Sequence, residues 1–403
     1  MSRGGGLKPL GSQWGVCVDR CDKRTRFRPG VNAGGPSLTK MAMLEVEDLN
    51  VRFYTEDGVV KATNDLSYEV EAGERFGVVG ESGAGKSVTS LAVMRLIDEP
   101  GVIESGEIRF KGRRLLELDD EEMRELRGNE IAMIFQDAET ALNPAYTVGE
   151  QISEAVRHHL DMDEAAAKER AIEMLESVGI PDPGQRYSNY PHEFSGGMQQ
   201  RAVIAMALSC DPDLIIADEP TTALDVTIEA QILSLLKEIA EEYDTAIQLI
   251  THDLGVVAEF CDRVMVMYAG HPVEMAPVED VYYDPQHPYT VGLMSSIPRI
   301  GDDRDRLQTI PGRMPDLIEM PPGCNFHPRC PYAEESCIRR EPALVDVATG
   351  EPADVSDHDA QTAACLAHTG GLSGPLDYEV RVRDGSRAGP DPVESTDGGA
   401  VDE

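Results

Sequence analysis

The sequence predicts an α/β protein. A mostly parallel core sheet carries a phosphate loop, a small antiparallel β subdomain lies beside it, a helical insertion interrupts it, and an irregular Cys-rich extension follows. Three observations carry this reading. Apolar runs such as "RFGVVG", "PDLIIADEP" and "TAIQLITHD" alternate with amphipathic helical text. The Gly-rich stretch "GESGAGKSV" stands between a strand and a helix. The early segments "MLEVEDLNVRFYT" and "GVVKATNDLSYEVEAGE" alternate apolar and polar residues around a turn at Asp57 and Gly58, the pattern of an antiparallel hairpin.

Residues 1–40 read as a disordered basic extension, or as a start assigned too early, because Met41 and Met43 directly precede the first strand-like run. They hold the only tryptophan, Trp14, and Cys17 and Cys21, to which no role is given. Residues 41–284 read as the nucleotide-binding domain. Within it, "RFGVVG" is a buried strand, a helix follows from about Lys86 to Ile97, and "GEIRFKG" and "IAMIFQD" are further strands. A polar helical subdomain covers about 137–195. "PDLIIADEP" is a buried strand, and "DVTIEAQILSLLKEIAEEY" sets Ile228, Ile232, Leu235 and Ile239 on one helix face. "DRVMVMYAG" and "HPVEMA" form a closing hairpin. Residues 285–370 are Pro-rich, irregular and without an evident core, and 371–403 read as a disordered acidic tail.

The 403-residue chain carries 36 Lys and Arg against 73 Asp and Glu, a net charge of -37. A surface this acidic repels phosphate backbones and argues against a nucleic-acid partner. It suits a protein of concentrated salt, as in a halophile, an expectation that unfolding at low salt would support and full stability in dilute buffer would oppose. The charge is uneven: residues 1–40 hold 8 basic and 2 acidic residues, the remainder 28 and 71. No stretch approaches the ~20 apolar residues of a membrane span.

The stretch from Gly80 to Ser87 matches the G-x-x-x-x-G-K-[ST] phosphate loop, with Ser82, Gly83 and Gly85 inside it and Val88 after it. Glycines let backbone N–H groups turn toward phosphate oxygens, and the helix N-terminus adds positive potential. Lys86 would reach the β- and γ-phosphates, and Ser87 would ligate Mg²⁺. The strand "DLIIADEP" ends in Asp218, placed to hold Mg²⁺, and Glu219, placed as general base toward the attacking water. A buried strand ending in an acid is a weak signal alone. Behind a phosphate loop at suitable spacing it is strong.

With these motifs stands "EFSGGMQQR", and the chain from about Leu44 to Pro298 resembles the ATP-binding cassette (ABC) family. Phe194, Ser195, Gly196, Gly197 and Met198 stand where that family usually has Leu-Ser-Gly-Gly-Gln, the Met being a departure. Gln136 matches the Q-loop, Asp225 in "TTALD" the D-loop, His252 in "LITHD" the switch histidine, and Phe53 the aromatic that stacks on adenine, with Tyr54 second. The resemblance implies a RecA-like α/β core with ATP and Mg²⁺ as ligands, Gln136 joining Ser87 and Asp218 at the metal. It implies a head-to-tail ATP sandwich in which Ser195, Gly196 and Gly197 face the other subunit's nucleotide. Only 108 residues separate Lys86 from Ser195, which leaves no room for the coiled-coil arm of DNA-repair cassettes.

"HPYTVGLMSSIP" and "IPGRMPDLIEMPPGCNFHPRC" are similar to the tail of oligopeptide/dipeptide (peptide/nickel) importer ATPases, closer to the D-type than the F-type subunit. This implies an ATP-hydrolysing subunit at the cytoplasmic membrane face. Its partners would be two transmembrane permease subunits, an F-type second ATPase (or a second copy of itself), and indirectly an extracellular binding protein. Nickel or oligosaccharide cargo, or a non-transport regulatory ATPase, are the alternatives. Cys324, Cys330, Cys337 and Cys365 are separated by five, six and 27 residues. In a reducing compartment disulfides are disfavoured. A zinc site usually shows closer Cys pairs, and a [4Fe–4S] cluster suits this wider spacing at least as well. The family resemblance favours the cluster, with zinc second and free thiols third. Cys210 and Cys261 lie in apolar helical text and read as core.

Overall fold

The computed structural model describes residues 42–222, 225–295, 310–374, 376, 380–381 and 387–388. The basic head with Cys17 and Cys21, residues 296–309, and most of the acidic tail lie outside the described residues.

Two long strands open the chain, β1 (Ala42–Thr55) and β2 (Gly58–Glu71), paired antiparallel through a tight turn at the anticipated position. The core strand β3 (Arg75–Val79) then leads through the phosphate loop into helix α1 (Lys86–Val93). This helix is one turn shorter than its pattern suggests. Arg95 takes a left-handed φ of 49°, and the Leu96 N–H reaches back to Leu91 O at 2.7 Å, so the last carbonyls are satisfied by a Schellman-like turn. Arg127 clamps the same end by donating to Met94 O and Arg95 O. Strands β4 (Gly101–Phe110) and β5 (Arg113–Arg114) complete a four-stranded antiparallel sheet of order β2-β1-β4-β5.

After α2 (Asp120–Leu126), whose start is closed by a capping box at Asp119, the chain re-enters the core as β6 (Ile131–Ile134). The helical insertion follows: α3 (Ala138–Ala141), α4 (Val148–His159), α5 (Glu164–Ser177), α6 (Pro183–Arg186) and α7 (Gly196–Leu208). Then β7 (Leu214–Asp218), α8 (Val226–Tyr243), β8 (Ala246–Thr251), α9 (Leu254–Phe260), β9 (Arg263–Tyr268) and β10 (His271–Pro277) finish the α/β core. On α8 the anticipated face is buried at Ile232, Leu235 and Ile239, with Ile228 partly covered.

Strands β6, β7, β8, β3 and β9 run parallel, and every residue of β7, β8 and β9 is buried, which is why they read as continuous apolar runs. One apolar core lies between this sheet and the helices of the insertion, and a second between it and the antiparallel sheet.

The extension differs from its sequence reading, because it shares the main core. Beyond α10 (Val278–Tyr283), α11 (Pro288–Ser295) and α12 (Glu335–Arg339), the short strands β11 (Val345–Asp346) and β12 (Thr362–Ala363) pair onto β10. The main sheet thereby has eight strands, in the order β11-β12-β10-β9-β3-β8-β7-β6. Phe326 is buried in the core, with Met314, Leu317, Met320, Cys324 and Cys330 packed against it. Two-residue strands and single anchors have no periodicity, so the sequence pattern shows none of this. In the tail, Val380–Arg381 pairs antiparallel with Arg387–Ala388.

Candidate functional site

Phosphate-handling residues gather where β3, β7, β6 and β8 end on one edge of the parallel sheet. Gly80 leaves β3 with no room for a side chain, since a Cβ there would stand 2.3 Å from Met267 O. Gly85 begins α1 at φ 102°, a conformation L side chains rarely adopt. Between them Ser82 and Gly83 form the exposed tip. Lys86 is buried and its Nζ donates to Gly80 O at 2.8 Å and Glu81 O at 3.1 Å. Burial lowers its pKa, against the pull of Glu219, Asp218 and Glu81. Val88 packs toward the second core.

Ser87 Oγ donates to Asp218 Oδ1 at 3.0 Å, which brings the two anticipated Mg²⁺ ligands together across α1 and β7. Asp218 is buried, and burial raises its pKa while the Ser87 hydroxyl opposes. A buried carboxylate beside a serine hydroxyl and an open loop fits a hard divalent cation. Glu219 has a left-handed φ of 46°. This costs a non-glycine residue strain, and such strain concentrates at functional positions. Its backbone N–H still donates to Ile250 O at 2.9 Å. Its carboxylate collects Gln136 Nε2 at 3.0 Å, Thr222 Oγ1 at 2.9 Å and His252 Nδ1 at 3.3 Å. Gln136, Glu219 and His252 thus meet, although 83 and 33 positions separate Gln136 and His252 from Glu219. Thr222 was missed. Its only sequence signal is its place three residues after Glu219.

The signature residues gather elsewhere. Ser195 is the N-cap of α7, and Ser195, Gly196, Gly197 and Met198 line an open groove of about 500 Å³ with Arg201 and Asp225. No residue of the phosphate loop lines it. A Cβ on Gly196 would meet nothing, so the start of this 13-residue helix faces open space. Asp225 caps α8, its Oδ1 accepting from Thr227 N and Ile228 N at 3.0 Å; Ala223 and Leu224 before it lie outside the described residues. Phe53, at the end of β1, packs toward the second core beside Gly101, whereas Tyr54 is exposed and bonds Glu104.

In the extension, Cys324, Cys330, Cys337 and Cys365 line one small cavity of about 20 Å³, together with His287 and Phe326. None of the four is in a disulfide, nor are Cys210 and Cys261, both buried as anticipated. Burial pushes the Cys330 thiol up to about 12 and the Cys365 thiol up to about 11, and neighbouring cysteines push the same way. Among the described residues no group of three or more His, Cys, Asp or Glu side chains is arranged to hold a metal ion.

Fold and site together define an ATPase cassette: a phosphate loop on a parallel sheet, an acid pair at the end of a strand one place removed, and a helix starting after Ser195 that faces open space. Comparison with known proteins agrees. A family model described as ABC transporter matches residues 63–222, and one described as oligopeptide/dipeptide transporter, C-terminal region, matches residues 273–337. The probable peptide ABC transporter ATP-binding protein y4tR of Sinorhizobium fredii is 53% identical over 313 residues, covering 77% of this chain and 93% of that protein. The oligopeptide transport ATP-binding protein OppD of Salmonella typhimurium is 52% identical over 300 residues, covering 74% and 89%. A solved dimer of the ATP-binding cassette MJ0796 in a post-hydrolysis state bound to ADP and Pi is 26% identical, with a TM-score of 0.53, covering 59% of this chain and 99% of that one. The chain belongs to the ABC transporter ATP-binding proteins, in the family with the oligopeptide/dipeptide transporter C-terminal region. Among the described residues no helix is long and apolar enough to cross a membrane.

Proposed function

We propose that this chain is the ATP-hydrolysing subunit of a peptide importer, at the cytoplasmic face of a membrane, working on separate permease subunits. The single observation that carries the ATPase half is the convergence of Gln136, Thr222 and His252 on the Glu219 carboxylate beside the phosphate loop. The peptide half is supported by the family's C-terminal region and by relatives named as peptide and oligopeptide transport proteins. The D-type resemblance supports an F-type ATPase as partner.

The chemistry follows from these groups. Gly83, Gly85 and the start of α1 present backbone N–H groups to the phosphates, and Lys86 turns from the loop carbonyls to the β- and γ-phosphates. Ser87, Asp218 and Gln136 would hold Mg²⁺, which supplies charge neutralisation on the phosphate oxygens. Glu219 accepts a proton from the attacking water, while His252 and Gln136 orient its carboxylate. Phe53 is proposed to stack on adenine. The groove at Ser195 is proposed to receive the γ-phosphate of a nucleotide held by a second cassette, consistent with the dimeric relative. Asp225 at the same groove would meet the partner's face. Glu219→Gln is expected to bind ATP with hydrolysis reduced at least about 100-fold; normal turnover would remove Glu219 as base.

The donor set of Cys324, Cys330, Cys337 and Cys365 around one cavity supports a [4Fe–4S] cluster, with zinc as the second reading. The gaps of five, six and 27 residues favour the cluster over zinc, whose sites usually show closer cysteine pairs. Its role would be to tie irregular backbone together. Iron and acid-labile sulfide near four each per chain after anaerobic purification, lost in Cys330→Ser, is the expected result; one zinc without sulfide would replace it.

A further inference from the structure

The phosphate loop is gripped by the C-terminal extension. Glu81, the second residue of the loop, receives two bonds from Arg329: Nη1 to Oε2 at 2.7 Å and Nη2 to Oε1 at 3.0 Å. Its backbone N–H donates to Tyr289 Oη at 2.9 Å. On the loop side its carbonyl accepts from Ala84 N and Lys86 Nζ, each at 3.1 Å. One residue is therefore fastened outward to the extension and inward to the phosphate-reaching lysine.

The grip is built, not incidental. The Arg329 side chain is 5% exposed, and its Nε donates to Pro311 O at 2.9 Å while Nη1 reaches Tyr268 Oη at 3.4 Å. A planar guanidinium bonded to both carboxylate oxygens fixes orientation as well as charge. Tyr268, Tyr289 and Phe326 pack ring to ring, with centroids 4.7, 5.2 and 5.4 Å apart. Phe326 and Cys330 line the cysteine cavity, and Arg329 lies between them in sequence. His287, two residues before Tyr289, lines it too.

We propose that Arg329 and Tyr289 are positioning residues for the phosphate loop, and that through them nucleotide binding and the state of the cysteine cavity are linked. Neither residue belongs to the phosphate loop itself. Both act through Glu81, which shapes the loop and shares Lys86 with the phosphates. The proposal rests on the loop binding ATP as proposed above. Linkage of this kind is reciprocal: a change at the cavity alters nucleotide affinity, and nucleotide alters the cavity by the same factor.

The test uses the full chain, Mg²⁺ and a fluorescent ATP analogue carrying a methylanthraniloyl group. Arg329→Met leaves the Glu81 carboxylate unpaired, and affinity is expected to fall about tenfold. Adding Glu81→Gln removes the stranded charge, so the double variant should bind better than the two single losses combined predict. A folded Arg329→Met chain with unchanged affinity overturns the proposal. A second measurement needs no variant. The rate at which iodoacetamide labels Cys324 and Cys330, directly or once any bound metal has been released, should change at least about threefold on saturation with Mg·ATP. In Arg329→Met at saturation that response should vanish. An identical labelling rate with and without nucleotide in the unaltered chain also overturns it. Failure of the unaltered chain to bind the analogue at all would instead defeat the proposed function, and this inference with it.

Discussion

The two halves of the nucleotide machinery are built in opposite ways. The phosphate-loop half is closed on itself: Lys86 bonds the loop, Ser87 bonds Asp218, and Glu219 is held by three side chains. The signature half is open, with a helix start at Ser195 that makes no side-chain capping bond, small residues and a wide groove. A half that satisfies its own polar groups can wait for ligand without a partner. A helix N-terminus facing open space is complete only when an anion meets it. The difference fits the proposed sandwich, in which each chain would bring one half of each of two sites.

The comparison is broken most severely at Ser195. Ser195→Arg fills the open groove while leaving the loop half untouched. Hydrolysis by the assembled cassette pair is expected to fall at least about 100-fold, with binding of the ATP analogue by the single chain within about twofold, since the lost donors act only across the interface. Loss of binding in the single chain would show that the halves are not separate.

The extension sets a smaller, pH-dependent contrast. Glu274 is fully buried and accepts from Gln286 N at 2.7 Å, His287 N at 2.9 Å and Gln361 Nε2 at 3.1 Å. Burial raises its pKa from 4.5 to about 7, so the folded chain binds this proton more tightly than the unfolded one. Its stabilisation is full below the unfolded value and is lost as pH rises to about 7. About 3 kcal/mol is at stake. Denaturant titrations of Glu274→Gln should lack that decline between pH 5 and 7 relative to the unaltered chain; parallel profiles would assign the decline to other groups.

The smallest effect belongs to Asp225, which has two duties in this account. As the cap of α8, its replacement by Ala should cost about 1 kcal/mol of stability. Asp225→Asn should restore the cap. If Asn restores stability but not hydrolysis, the carboxylate has a role at the partner's face; if it restores both, capping is the whole of it.

Much of the loop half was legible because each part is local. The Gly-rich spacing, the buried strand ending in Asp218 and Glu219, and the strand ending before His252 are short words in the chain, and the parallel sheet aligns them. What was not legible spans distance without period. Arg329 lies 248 residues from Glu81, in a single 3-10 turn facing a loop, so no pattern pairs them. The joining of β11 and β12 to the main sheet rests on two residues each, too few for alternation to show. The left-handed turn at Glu219 is imposed by its surroundings, since glutamate has no preference for it.

The central claim is that Glu219, held by Gln136, Thr222 and His252, is the base of an ATPase whose binding elements are otherwise intact. Side-by-side measurement of ATP binding and ATP turnover in Glu219→Gln tests it most directly. The account predicts binding within about threefold of the unaltered chain and turnover lowered by about 100- to 10,000-fold. Turnover near the original rate, with binding preserved, would contradict it.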